Sequence, residues 1–193
     1  MTIGILGGSF NPVHIGHMML ASYMAQWGYV DEVWLTLSPR NPLKDAATLL
    51  PDTRRLAMLT MACRGAKGID ICDLELSMPK PSYTINTLRA LRTRYPEKTF
   101  KLIIGSDNWQ NFTRWREWQS ILSEFGVLVY PRPGYPIESR YVDGMEVVKA
   151  PQVYISSTFI RTAISLGKDM NYFLPQGVYK YIMDNKLYTT NNG

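Results

Sequence analysis

GGSFNPVHIGH, residues 7–17, places three glycines, a proline and both of the chain's histidines directly after the short apolar run TIGIL at residues 2–6. The apolar run reads as a buried strand. GHMMLASYMAQW, residues 16–27, reads as a helix, with Met19, Leu20, Tyr23, Met24 and Trp27 at helical spacing. Between them lies a strand-to-helix turn. Gly7 and Gly8 have no Cβ, so the backbone there can turn sharply and approach a ligand closely. Ser9 offers a hydroxyl, Phe10 follows it, and Asn11 and Pro12 fix the turn. The helix that starts near Gly16 points its free N–H groups and the positive end of its dipole into the same space. The expectation is an anion site. His14 and His17, three positions apart, share neighbouring parts of one helix face and look towards that anion.

Working outward, DEVWLTLS (31–38) gives a second strand, followed by a loop through Pro39, Asn41 and Pro42 to about Leu50. DTRRLAMLTMACR (52–64) carries Leu56, Leu59 and Cys63 in helical register, with Asp52 as a cap. GIDICDLEL (68–76) alternates as a strand does. Ser82 is expected to cap a helix carrying Ile85, Leu88 and Leu91. KTFKLIIGS (98–106) is a further strand that again ends in Gly-Ser, ahead of Asp107 and a long aromatic helix. FGVLVY (125–130) and MEVVKA (145–150) are strands around the loop PRPGYP, ISSTFIRTAISLG (155–167) starts a serine-capped helix, and PQGVYKYIMDNK holds a last one. Strands alternating with helices imply a doubly wound α/β fold with a parallel sheet and right-handed crossovers, in one domain over residues 1–188, with residues 189–193 as a disordered tail. Ligands in that architecture bind beyond the carboxyl ends of the strands, so GGSF, SPRNPLK and GSDNW would share one crevice if their strands are neighbours.

At 193 residues with 46% hydrophobic content, the chain has enough apolar mass for a sizeable core. Its net charge of +5 favours anionic ligands but is too mild and dispersed to require nucleic acid. There is no signal-like amino terminus and no apolar run of membrane-spanning length, so a soluble cytoplasmic protein without a membrane partner is expected. Oligomeric state is not readable. A closed zinc site needs four ligands, two histidines are the whole supply, and Cys63 and Cys72 lack a paired spacing. A metal site on these residues is therefore not expected, and the cysteines read as small buried apolar groups.

The HxGH pattern resembles the nucleotidyltransferase superfamily and, in its letters HIGH, also class I aminoacyl-tRNA synthetases. The synthetases carry a KMSKS-like loop and a tRNA-binding domain, neither of which is visible. Instead Ile155-Ser156-Ser157-Thr158-Phe159-Ile160-Arg161 is similar to the ISSTxIR motif of nicotinate-nucleotide adenylyltransferases. The resemblance extends, in the family's order, through Pro42-Leu43-Lys44, Tyr83-Thr84-Ile85-Asn86-Thr87-Leu88, Gly105-Ser106-Asp107-Asn108-Trp109 and Trp115. Two positions depart from the family's pattern: Asn11 stands for an aspartate, and Leu43 for a histidine beside Lys44.

The resemblance implies a Rossmann-like nucleotidyltransferase fold and transfer of the adenylyl group of ATP to nicotinate mononucleotide, with magnesium accompanying the ATP. It assigns catalysis to His14, His17, Lys44 and Arg161. ATP would be held by Gly7, Gly8, Ser9, Phe10, both histidines, Gly105, Asp107, Ile155, Ser156, Ser157 and Arg161. The mononucleotide would be held by Ser9, Lys44, Tyr83, Thr84, Asp107, Trp109 and Trp115, with Trp115 stacking on the pyridine ring. Asp107 would take a ribose hydroxyl and is equally placed to cap its helix. A phosphopantetheine adenylyltransferase, which Arg161 and YTINTL fit poorly, and a non-catalytic adenine-nucleotide-binding module are the alternatives.

Overall fold

In a computed structural model of the chain, residues 1–39, 49–137 and 142–189 are described. The apolar run at the amino terminus forms β1 (Thr2–Gly8), and α1 (Ile15–Gln26) follows the glycine turn. Next come β2 (Glu32–Leu37), α2 (Asp52–Cys63), β3 (Ile69–Cys72), α3 (Leu74–Ser77) and α4 (Thr84–Arg94). The second half holds β4 (Thr99–Gly105), α5 (Ser106–Trp109), α6 (Trp118–Glu124), β5 (Val127–Tyr130), β6 (Met145–Val147), α7 (Ser157–Ser165) and α8 (Val178–Asp184). All strand pairs are parallel, in the order β3-β2-β1-β4-β5-β6. The chain order reverses between β1 and β4, whose register pairs Leu6 with Ile103. A doubly wound sheet opens its ligand crevice at that reversal, outside the carboxyl ends of the strands.

Two apolar layers cover the sheet. Leu6, Val33, Leu35 and Ile103 face a core shared with Met24 of α1, Met58 and Leu59 of α2, Ile160 of α7 and Ile182 of α8. Ile3, Ile5, Leu102 and Ile104 face the other, shared with Ile85 and Leu88 of α4 and Ile121 of α6. Strand residues alternate between the layers because successive side chains leave opposite faces of a pleated strand. Among the described residues no helix is long and apolar enough to cross a membrane.

Several expectations are corrected. On α1 the buried residues are Ala21 and Met24, while Met19 and Trp27 are exposed. The helix is apolar almost all round, so its pattern does not single out a face. The alternation in GIDICDLEL stops at Cys72, and Leu74–Ser77 turns into α3. That turn buries Glu75, which accepts from Thr87 Oγ1 at 3.0 Å. Tyr83, not Ser82, is the N-cap of α4, and the Ser82 hydroxyl bonds Glu75 at 3.4 Å. Pro51 precedes α2 where Asp52 was expected as the cap, and Gly105 occupies the N-cap of α5 where Asp107 was expected. Cys72 is buried and Cys63 half-buried, both free, and burial pushes the Cys63 thiol up to about 11. Of the expected tail, Thr189 bonds the Lys186 carbonyl, and 190–193 lie outside the described residues.

The long aromatic helix is broken into α5, a short 3-10 turn at Phe112–Arg114 and α6, with Glu117 at φ +51° at the last junction. Packing explains the break. Trp109, Trp115 and Trp118 surround the buried Phe112 ring at centroid distances of 5.1, 5.5 and 6.3 Å. A straight helix would carry residue 118 about 9 Å along the axis from residue 112, too far to close on the same ring. Phe112→Ala removes the ring at the centre of this cluster and is expected to cost about 3–5 kcal/mol in urea-induced unfolding. A loss below about 1 kcal/mol would show that the cluster does not depend on it.

Candidate active site

The glycine turn is built from its backbone contacts. Phe10 lies at φ +42° with its ring buried, and a Cβ on Gly8 would stand 3.0 Å from that ring, so a side chain at position 8 would press on it. A non-glycine residue at such a φ is locally strained and persists only where its surroundings hold it. They hold it through three carbonyls. Arg55 on α2 donates to the Ser9 oxygen at 2.6 Å, Arg161 on α7 to the Asn11 oxygen at 2.9 Å, and Ser157 Oγ to the Pro12 oxygen at 2.8 Å. The Asn11 side chain carries the turn on to the carboxyl-terminal segment, its Oδ1 accepting from Tyr188 at 2.7 Å.

His14 is the N-cap of α1 and His17 sits three residues on, with their rings stacked at 3.7 Å and Phe10 edge-on to His17 at 5.0 Å. The His14 backbone N–H donates to His17 Nδ1 at 3.2 Å. An imidazole nitrogen that accepts carries no proton, so the neutral His17 ring bears its hydrogen on Nε2. Burial, then the neighbouring His14 and Arg132, hold the His17 pKa well below the ordinary imidazole value. Burial and Arg132 bring His14 down to about 4. His14 Nδ1 is buried without a hydrogen-bond partner among the described residues.

Two hollows open at the carboxyl end of the sheet on either side of Tyr130, which lines both. The larger, about 250 Å³, brings together Gly7, Gly8, Ser9, Thr84, Gly105 and Trp115, with Glu75 among its walls. Burial raises the Glu75 carboxyl pKa, opposed by hydrogen bonds from Thr87, Ser38 and Ser82. The smaller, about 40 Å³, is lined by both histidines, Arg132, Gln152 and Ile155. Asp107 adjoins it, its Oδ1 at 3.8 Å from Arg132 Nε and without a hydrogen bond among the described residues. A Cβ on Gly105 would fall on that carboxylate and on the Arg132 side chain, which is why glycine ends β4.

Other expected residues are placed differently. Trp109 stacks on Phe112 and lines a separate cavity of about 410 Å³. Tyr83 is exposed beneath the Arg116 guanidinium at 4.7 Å. The Ser156 hydroxyl caps α7 by accepting from the Phe159 N–H at 3.1 Å, and the Ser157 hydroxyl is occupied by Pro12. Lys44 and Leu43 lie outside the described residues. Arg55 and Arg132 escaped the sequence reading. For Arg132, its position in PRPGYP just after a strand was the available signal.

A family model described as cytidylyltransferase-like matches residues 5–163. A Bacteroides fragilis protein named "Probable nicotinate-nucleotide adenylyltransferase" is 49% identical over 93% of this chain and 90% of its own length. One of the same name from Azobacteroides pseudotrichonymphae is 43% identical over 96% and 98%. The chain belongs to the nicotinate-nucleotide adenylyltransferase family. Among solved structures, the Plasmodium falciparum nicotinic acid mononucleotide adenylyltransferase complexed with NaAD superposes with a TM-score of 0.82 at 22% identity, covering 97% of both chains. That match establishes that the adenylyltransferase family's fold is shared.

The depressed histidines set a pH dependence. Each ring stays neutral in the folded protein but takes a proton in the unfolded chain near 6.5, so the unfolded state binds more protons below that pH and stability falls with it. For His14 the loss accumulates between about 6.5 and about 4. Thermal unfolding of wild type and His14→Asn across that window is expected to show a shallower decline for the variant. Parallel declines would place an ordinary imidazole at position 14.

Proposed function

We propose that the protein joins the AMP portion of ATP to nicotinate mononucleotide by direct in-line displacement, forming deamido-NAD and releasing pyrophosphate. The observation that carries this reading is the glycine turn itself: Gly7, Gly8 and Ser9 line the larger hollow, His14 and His17 just after them line the smaller, and Tyr130 lines both, so backbone amides and imidazole donors converge where the phosphates of two nucleotides would meet. The family's names point to the same reaction.

The nucleophile is a phosphate monoester oxygen, whose second pKa near about 6 leaves it largely ionised at neutral pH. No protein base is required. Catalysis reduces to aligning two polyanions and meeting the charge that develops on the α-phosphate and the departing pyrophosphate. Neutral His17, with its hydrogen on Nε2, is the assigned donor to the α-phosphate, and His14 Nδ1, without a partner among the described residues, lies beside it. Gly7, Gly8, Ser9 and Phe10 form the backbone approach to the phosphates. Arg161 is held by Asn11 and Thr158 and offers its remaining N–H donors, with the amino end of α7 at Ser156 and Ser157, to the β- and γ-phosphates. Lys44 is assigned to the reacting phosphates by the family pattern.

Ile155 and Arg132 wall the adenine side, and Asp107 is assigned to a ribose hydroxyl. Trp115 and Thr84 are assigned to the pyridine ring and its carboxylate in the larger hollow. Magnesium belongs to the proposal as the counterion of ATP. No group of three or more His, Cys, Asp or Glu side chains that could hold a metal occurs among the described residues, so triphosphate oxygens and water would be its main ligands. The cytoplasm, where ATP is available, is the compartment this activity assigns.

Purified protein with magnesium-ATP is expected to release pyrophosphate with nicotinate mononucleotide, and no release with any mononucleotide would refute the activity. His17→Ala is expected to lower kcat by about 100- to 1,000-fold, the scale of removing one transition-state donor. Near-normal turnover would take His17 out of the mechanism. Trp115→Ala is expected to raise the mononucleotide KM more than that of ATP, and equal increases would contradict stacking.

A further inference from the structure

Arg55 is the largest fully buried side chain among the described residues, with none of its surface exposed. Its guanidinium donates to three backbone carbonyls from three chain segments: Ser9 in the glycine turn at 2.6 Å, Ser38 just beyond β2 at 2.9 Å, and Leu50 ahead of α2 at 3.1 Å. Its fourth bond is to Asp52, at 2.5 Å, within its own helix. Ser38 and Leu50 flank residues 40–48 in sequence, the segment that carries Lys44. Burying a guanidinium is unfavourable, and an apolar side chain of similar volume commonly stabilises a core as well or better. What an apolar side chain cannot do is fix three carbonyls against one another. The planar fork of arginine does so with a single rigid group, and lysine, with one nitrogen, reproduces only part of it.

We infer that Arg55 is a positioning residue for adenylyl transfer, setting the glycine turn in register with the two ends of the Lys44 segment without touching either substrate. The inference rests on the proposed adenylyltransferase reaction. Arg161 and Ser157 tie the Asn11 and Pro12 carbonyls of the same turn to α7. Without Arg55 the turn keeps single bonds to each segment end, from the Ser38 N–H to the Gly8 oxygen at 3.0 Å and from the Leu50 N–H to Asn11 Oδ1 at 3.4 Å, but loses the one rigid group that bonds the turn and both ends at once.

The test compares wild type, Arg55→Lys and Arg55→Met by thermal unfolding and by single-turnover pyrophosphate release from ATP and nicotinate mononucleotide, assayed well below each melting temperature. Wild type without pyrophosphate release would refute the reaction itself, independently of Arg55. With an active wild type, folded Arg55→Met is expected to lose about 100-fold in the single-turnover rate, the scale of a misalignment of about 1 Å, while KM for both substrates changes less than threefold. Arg55→Lys is expected to fall between the two in rate. If Arg55→Met does not fold, the Arg55→Lys rate decides: a loss of tenfold or more with little change in KM supports positioning. A rate within twofold of wild type in whichever folded variant is decisive overturns it. So does a loss confined to KM, or a failure of both variants to fold, which would make Arg55 a folding residue.

Discussion

The carbonyl oxygens of Ser9, Asn11 and Pro12 are all taken by side chains from helices distant in sequence, and the site depends on that. A turn bearing a buried Phe10 at positive φ does not hold its shape by local preference. Arg55 anchors it to α2, while Arg161 and Ser157 anchor it to α7. The glycine turn and the ISSTFIR helix, about 150 residues apart in the chain, are thereby one mechanical unit.

The same constraint sets the electrostatics. With the turn fixed, the His14 N–H meets His17 Nδ1 and the two imidazoles stack on each other, with Phe10 edge-on to His17, in a partly enclosed space beside Arg132. Burial and a neighbouring positive charge both disfavour imidazolium, so both rings are held neutral, and the bond from the His14 N–H sets the tautomer of His17. A neutral donor held in place needs no proton transfer when ATP arrives and spends no reorganisation at the transition state.

Much of this was legible in the sequence. Apolar TIGIL, the glycine turn and the paired histidines marked β1, the turn after it and α1, and GSD at the end of another strand placed a second lip on the same crevice. What stayed hidden shares one cause, tertiary contact. Arg54 and Arg55 are adjacent and alike in sequence, yet Arg54 is half-buried and bonds Tyr181 near the surface while Arg55 is enclosed. Periodicity gave the helix but not which arginine turned inward. Likewise FTRWREWQ carries helical spacing, and only the closing of three tryptophans on Phe112 breaks it. The hydroxyl of Ser157 has the sequence position of a phosphate donor, yet it is spent on the Pro12 carbonyl.

The account makes the histidines hydrogen-bond donors in a single displacement at the α-phosphorus, not nucleophiles. ATP made chiral at that phosphorus with sulfur and isotopic oxygen tests this directly, by the configuration of the deamido-NAD formed. Inversion is the predicted result. Retention would require two displacements through a covalent adenylyl-enzyme and would contradict the account.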